Sequence, residues 1–354
     1  FAMVECGMYT YAHLSIIDWT HRMNISRGGF IALCAALPLA LTGCNSTQET
    51  TGSDADKATE SNAAPAKINL GTLPTEDILP MWVAESEGLF EKAGIACDIH
   101  KFQSATELIA AVSSGEVDVA MTDPMVTASL FASGTDVRIC WICLGTEASQ
   151  GRFGIMTADE GITSLADLAG REIGVGSNTI LEYVMDKLMA QAGIPADQVV
   201  KAELQKIPVR FEAMASGQVP AAALPASLLA LGESKGFRCV ADDTTGDNIS
   251  QSVMIVREAW LEGESGKAAL EALQGVWDEA AGLINKTPEN YRALLVEQAS
   301  LAEDIADTYP ISSYPTAQLP TQQMVGDVLD WMLEKGYLDA ALTYNADNGT
   351  FSKN

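Results

Sequence analysis

From Lys67 almost to the last residue, short apolar runs alternate with stretches in which apolar side chains recur every three or four positions. Buried strands alternating with amphipathic helices are the pattern of an α/β chain with mostly parallel sheets. Strands are predicted at 68–73, 96–100, 117–122 and 138–144. Helices are predicted from Asp77 to about Phe90, over 106–114, and from Pro124 onward. Asp77 is expected to cap the first helix, with Pro80 tolerated in its first turn. A second series follows, with strands at 153–156, 172–175, 199–204 and 221–224, a short helix at 164–169, and helices at 179–192 and 210–216. After Asn248 a strand-like SVMIVREAW gives way to helices. Their apolar stripes, from Leu270 to Ile284 and from Val325 to Leu333, have helical spacing and read as core.

The two series echo each other. Ala93-Gly94-Ile95 recurs as Ala192-Gly193-Ile194, and AVSSGEVDVAMTDP (111–124) aligns without gaps on AMASGQVPAAALPA (213–226), with five of 14 positions identical. The physical content is a helix ended by Gly115 or Gly217, where glycine permits a left-handed cap, followed at once by a strand. Two similar α/β lobes imply a cleft between them, a preferred place for small ligands.

Residues 23–44 have a different texture, MNISRGGFIALCAALPLALTGC. A positive Arg27, an apolar run interrupted by Pro38, and small residues before Cys44 match a secretory signal peptide. The LTGC end resembles the bacterial lipobox, which implies cleavage before Cys44 and a lipid on that cysteine. The run of about a dozen apolar residues is short of the roughly 20 that a spanning helix needs. Residues 1–22, which begin with Phe1, are read as upstream or non-native sequence before a start at Met23, with Met3 and Met8 as alternative starts, and 23–43 as the signal peptide. Residues 44–66 hold no aromatic and no large aliphatic side chain, so they are expected to form a disordered tether. The mature protein is therefore expected outside the cytoplasmic membrane, anchored to its outer face through Cys44.

Composition narrows the partners. With 47 acidic and 21 basic residues the formal net charge is −26, which argues against nucleic acid, whose binding relies on Lys and Arg neutralising phosphates. Cys140 and Cys143 have the spacing of half a zinc or redox site. They lie in an apolar strand pattern, where residues three apart point to opposite faces, so buried structural thiols are expected and no metal. Trp82 and Trp141 read as core side chains that could instead stack on an aromatic ligand.

GTLPTEDILPMWVAESEGLFEKAGI followed by SGEVDVAMTDP, then GITSLADLAGREIGVGSNTILEYVMDKLMAQAGI and the late VLDWMLEKGYL, resemble the nitrate/sulfonate/taurine and thiamine-precursor branch of periplasmic-type solute-binding proteins. The resemblance covers roughly 67–337. It implies a type II periplasmic-binding-protein fold, two α/β lobes closing by a hinge on a small molecule, with ABC permease subunits as partners and no cofactor. The implied lobes are 67–148 plus 248–354 and 149–247, with hinges near 146–151 and 246–251. A monomer is expected.

Ligands of open α/β sheets bind beyond the carboxyl ends of the strands. That rule selects Thr75, Glu76 and Asp77 after the first strand, Thr122 and Asp123 after the third, Ser177, Asn178 and Thr179 at a helix start, and Leu224 and Pro225 as the counterpart of Thr122 and Asp123. The helix opened by Ser177 is expected to offer free N–H groups to an anionic or polar group. Asp77, Asp123, Ser177 and Asn178 can also act simply as helix caps. Pro220 stands where the family usually has Asp, which puts the second lobe's contacts in doubt. Arg152 and Arg210 are the candidate cations for an anion. The three acids Glu76, Asp77 and Asp123 instead favour a neutral or cationic ligand, an amine or aminopyrimidine, over a sulfonate or nitrate. Two rival readings remain. One is an extracellular sensor of the same fold. The other is a pyrimidine-synthesis enzyme, disfavoured because no His, Cys or nucleophile motif gathers near these loops.

Overall fold

The computed structural model describes residues 66–353. The signal-peptide segment, Cys44 and all but the last residue of the tether lie outside them. The first sheet contains β1 (Ala66–Thr72), β2 (Ile95–Lys101), β3 (Val119–Thr122) and β4 (Val137–Leu144). The second contains β5 (Phe153–Thr157), β6 (Glu172–Val175), β7 (Val200–Glu203), β8 (Ala221–Pro225) and β9 (Arg238–Asp242). The chain then returns to add β10 (Ser252–Arg257) to the first sheet. A hairpin of β11 (Leu342–Asn345) and β12 (Thr350–Lys353) ends the described chain.

Strand order is β2-β1-β3-β10-β4 in one sheet and β7-β6-β8-β5-β9 in the other. In each, three parallel strands meet a fourth that runs antiparallel to both its neighbours, β10 in the first sheet and β5 in the second. The lobes thus share one spatial arrangement of strands, although the antiparallel strand comes last in the chain for the first sheet and first for the second. Gly115 and Gly217 both adopt positive φ, +81° and +74°, and each ends a helix directly before the third parallel strand of its sheet.

The helices are α1 (Leu79–Ser86), α2 (Leu89–Lys92), α3 (Ala105–Ser114), α4 (Pro124–Ala132), α5 (Ile180–Gln191), α6 (Ile207–Ala215), α7 (Ala226–Ser234), α8 (Glu258–Leu261), α9 (Gly266–Lys286), α10 (Arg292–Gln298) and α11 (Gln322–Glu334). The first predicted helix is corrected at both ends. It opens as a 3-10 turn over Glu76–Ile78, with Thr75 at the N-cap and Asp77 inside the turn, so Asp77 is not its cap. It also breaks at Gly88, whose φ of +66° separates α1 from α2.

One core joins the first sheet to α1 and α9, and includes Trp82, Trp141 and Trp277. Trp82 and Trp141 are therefore packing residues, at 2% and 0% exposure. A second core runs through both lobes, from Leu108 and Val126 to Ile173, Tyr183 and Trp331. The four cysteines at 97, 140, 143 and 239 are free thiols, with Cys143 buried. Among the described residues no helix is long and apolar enough to cross a membrane.

The chain passes between the sheets twice, after β4 and before β10, and the two passages touch. Asn248 Nδ2 donates to the Gly145 carbonyl at 2.8 Å. Gly145 has φ +98°, and a Cβ there would sit 2.0 Å from the Ser250 carbonyl oxygen. Only glycine fits this crossing.

Candidate functional site

The carboxyl edges of the parallel strands face each other across the lobes. After β1, the 3-10 turn places Thr75, Glu76 and Asp77 there. After β3 come Thr122, the last residue of the strand, and Asp123, the N-cap of α4. Together with Pro225 at the end of β8, the side chains of Thr75, Asp77, Thr122 and Asp123 line a small cavity of about 40 Å³, room for a few waters. A drug-sized ligand needs roughly 300 Å³ or more, so the lobes stand closed.

Sequence reasoning missed several of the residues that complete this wall, among them Phe153, Ile207 and Ser252. Two have a topological explanation. The rule of carboxyl ends assumes parallel strands, whereas β5 and β10 run the other way. Their first residues, Phe153 and Ser252, therefore lie at the same edge as the last residues of β8 and β3.

The acids are deeply placed. Asp77 is 4% exposed and lines the cavity, and its side chain has no hydrogen-bond or ion-pair partner among the described residues. Asp123 Oδ1 accepts from Val126 N at 2.8 Å, and Oδ2 accepts from Ile180 N in the opposite lobe at 3.0 Å. Burial raises the Asp123 carboxyl to about 6, against the pull of these N–H donors. Glu76 turns away from the cavity. Its carboxylate accepts from the Tyr309 hydroxyl, and its backbone carbonyl accepts from the Tyr314 hydroxyl at 2.6 Å. Burial lifts its carboxyl to about 7, with the Tyr309 bond opposing the rise and Asp77 adding to it.

Asp77, Phe153 and Pro225 also border a constriction shared with Glu76, Gly151 and Arg152. Beyond it lies an outer chamber of about 460 Å³, lined by Glu76, Arg152, Glu233, Thr244, Tyr309 and Ser312 among others.

Neither candidate cation is free for an anion. Arg152 is held by Glu233 at 2.8 Å and Asp242 at 2.7 Å. Arg210, 1% exposed, donates to the carbonyls of Leu204, Ala223 and Gln205.

The start of α5 also differs from expectation. Its N-cap is Thr179, whose hydroxyl donates to the Gly176 carbonyl rather than capping the helix. Ser177 N donates to Glu203 Oε1 at 3.1 Å, and Asn178 N to Glu182 Oε2 at 2.6 Å. With Asp123 on Ile180 N, three of the backbone donors at this helix start are taken by the chain's own carboxylates. Ser177 and Asn178 are not helix caps. Asn178, at φ +57°, sends its amide to Ser129 Oγ of the first lobe at 2.7 Å and borders a different cavity. Leu224 points into the core with α6 and α7.

A second junction supports the closed arrangement. Glu182, fully buried in α5, accepts from Lys201 and from the Tyr337 hydroxyl at 2.8 Å. Asp186 accepts from Trp331 Nε1 of α11 at 3.0 Å.

Comparison with known proteins gives this geometry a context. Residues 75–289 match the family model described as NMT1/THI5 like. The chain is 30% identical over 144 residues to a Brucella abortus (strain 2308) protein named only as a binding protein, an alignment spanning 40% of this chain and 42% of that relative. Its structure is similar to the alkanesulfonate-binding protein SsuA of Xanthomonas axonopodis pv. citri bound to MOPS, with TM-score 0.66 at 17% identity, over 78% of this chain and 95% of SsuA. It is also similar to the periplasmic nitrate-binding protein NrtA of Synechocystis PCC 6803, with TM-score 0.65 at 14% identity, over 78% of this chain and 83% of NrtA. At such identities the structures speak to fold. The family match covers more than half of the chain: it belongs to the NMT1/THI5-like family, on the two-lobed fold of the periplasmic binding proteins.

Proposed function

We propose that the protein is an extracytoplasmic solute-binding lipoprotein that captures a small cationic or N–H-rich molecule, such as an amine or aminopyrimidine, and hands it to the permease of an ABC importer. Asp77 carries this reading. Its carboxyl group has no hydrogen-bond or ion-pair partner among the described residues and faces a cavity between two lobes. A ligand offering a positive charge or several donors would satisfy it.

In this reading the lobes are 67–148 plus 248–354 and 149–247, and the passages at 146–151 and 246–251 act as the hinge. Thr75, Asp77, Thr122, Asp123 and Pro225 contact the ligand, while Glu76 guards the constriction to the outer chamber. The LTGC sequence ending at Cys44 supports a lipid anchor on the outer face of the membrane. Capture by lobe closure is the role this reading assigns to the cavity.

SsuA and NrtA are named for anions, alkanesulfonate and nitrate. The same ligands fit this cleft poorly, since Arg152 and Arg210 are committed elsewhere. Calorimetric titration with aminopyrimidines, alkylamines, taurine, alkanesulfonates and nitrate tests the reading. Amine or aminopyrimidine binding that is lost in Asp77→Asn supports it. Tight binding of a sulfonate or nitrate alone sinks it.

A further inference from the structure

We propose that Asp123 sets the charge class of the ligand by filling an anion site with the chain's own carboxylate. The inference rests on the cleft between the lobes being the ligand site. The N-termini of two helices converge on this side chain, the nine-residue α4 through Val126 N at 2.8 Å and the 12-residue α5 through Ile180 N at 3.0 Å. Each helix start carries about half a positive charge, and such ends are ready-made anion sites. Here two of them point at one carboxylate, which is 6% exposed and lines the inner cavity.

The bond to Ile180 crosses from one lobe to the other, so Asp123 occupies the place where a bound anion would bridge them. Just before α5, Ser177 N and Asn178 N are taken by Glu203 and Glu182. The plug comes from the first lobe alone. In the internal repeat the position equivalent to Asp123 is Pro225, which caps α7 without a side-chain acceptor. An entering sulfonate or nitrate would have to displace Asp123 and also face Asp77, whose carboxylate has no partner. An entering cation meets two acids and displaces nothing.

Removing the charge of Asp123 should therefore turn a cation site into one that accepts anions. Asp123→Ser keeps a side-chain acceptor for Val126 N and frees Ile180 N. Asp123→Asn is the isosteric second variant, read in the same way if the serine protein does not fold. The full chain and both variants are titrated calorimetrically with methanesulfonate and with nitrate in chloride-free buffer, and separately with butylamine and 4-aminopyrimidine. The expected result is no anion binding by the wild type and a gain of about 30-fold or more in a folded variant, the affinity equivalent of a strong charge–helix-end interaction. Submillimolar methanesulfonate or nitrate binding by the wild type overturns the inference, as does a folded variant that gains none. The amine arm separates the two readings. A wild type that binds amines beside a variant that gains no anion removes the plug and leaves the cation-binding function standing. A wild type that ignores amines beside a variant that gains anions keeps the plug and removes the cation ligand.

Discussion

Replacing Glu76 with glutamine should stabilise the free protein at alkaline pH and leave it unchanged in acid. Glu76 is 6% exposed, and burial raises its carboxyl from the usual 4.5 to about 7. The folded state thus holds a proton that the unfolded chain releases near 4.5. The protonated form's contribution to stability is fully present below 4.5 and disappears as pH rises through 7. At 1.36 kcal/mol per pH unit, ionising this side chain in place costs about 3 kcal/mol. Glutamine reproduces the shape of the protonated acid, and its amide oxygen can still accept from the Tyr309 hydroxyl. Urea unfolding of wild type and Glu76→Gln at pH 5, 6, 7 and 8.5 should show a difference that grows to about 3 kcal/mol in favour of glutamine at the highest pH. A difference that stays constant across that range, or a variant less stable than wild type at pH 8.5, would refute the reasoning.

Three further outcomes follow from the same geometry. Asp77→Asn should abolish binding of a cationic ligand while leaving the unfolding midpoint nearly unchanged, because no side-chain hydrogen bond or ion pair among the described residues is lost; calorimetry and thermal unfolding read the two effects separately. With Asp123 raised to about 6 and Glu76 to about 7, a cation favours their ionised forms. Amine affinity should therefore rise between pH 5 and 8 with proton release, visible as binding heats that differ between phosphate and Tris buffers. Gly145→Ala should lower stability by about 1–3 kcal/mol or more, since it combines a left-handed backbone with a methyl group driven into the Ser250 carbonyl; an unchanged melting temperature would contradict the crossing geometry.

Much of the fold was legible because local signals and tertiary placement agree. The apolar runs of β1, β4 and β10 are strands, and Gly115 and Gly217 end their helices as their sequence context suggests. Asp123 reads as the cap of α4 from its place before Pro124, and it is one. What could not be read involves partners distant in sequence. The direction of β5 and β10 depends on the chain returning between lobes, and that direction alone brings Phe153 and Ser252 to the cavity. The second bond of Asp123 reaches across 57 positions, and Arg152 is held by Glu233 and Asp242 from beyond 80. No local pattern records either. The C-terminal hairpin escaped because its two strands are four residues each, too short for alternation to stand out.

The placement of β10 dictates an order of assembly. All five strands of the second sheet lie within one continuous stretch, from Phe153 to Asp242. The first sheet has a gap between β3 and β4 until residues 252–257 arrive to fill it. A polypeptide that emerges amino end first therefore completes the later sheet before the earlier one. In the interval β4, with its VRICWICL sequence, lacks its only pairing partner in the sheet, and an unpaired apolar strand invites association with other chains. Nascent molecules halted short of Arg257 should be the ones most in need of a holding chaperone.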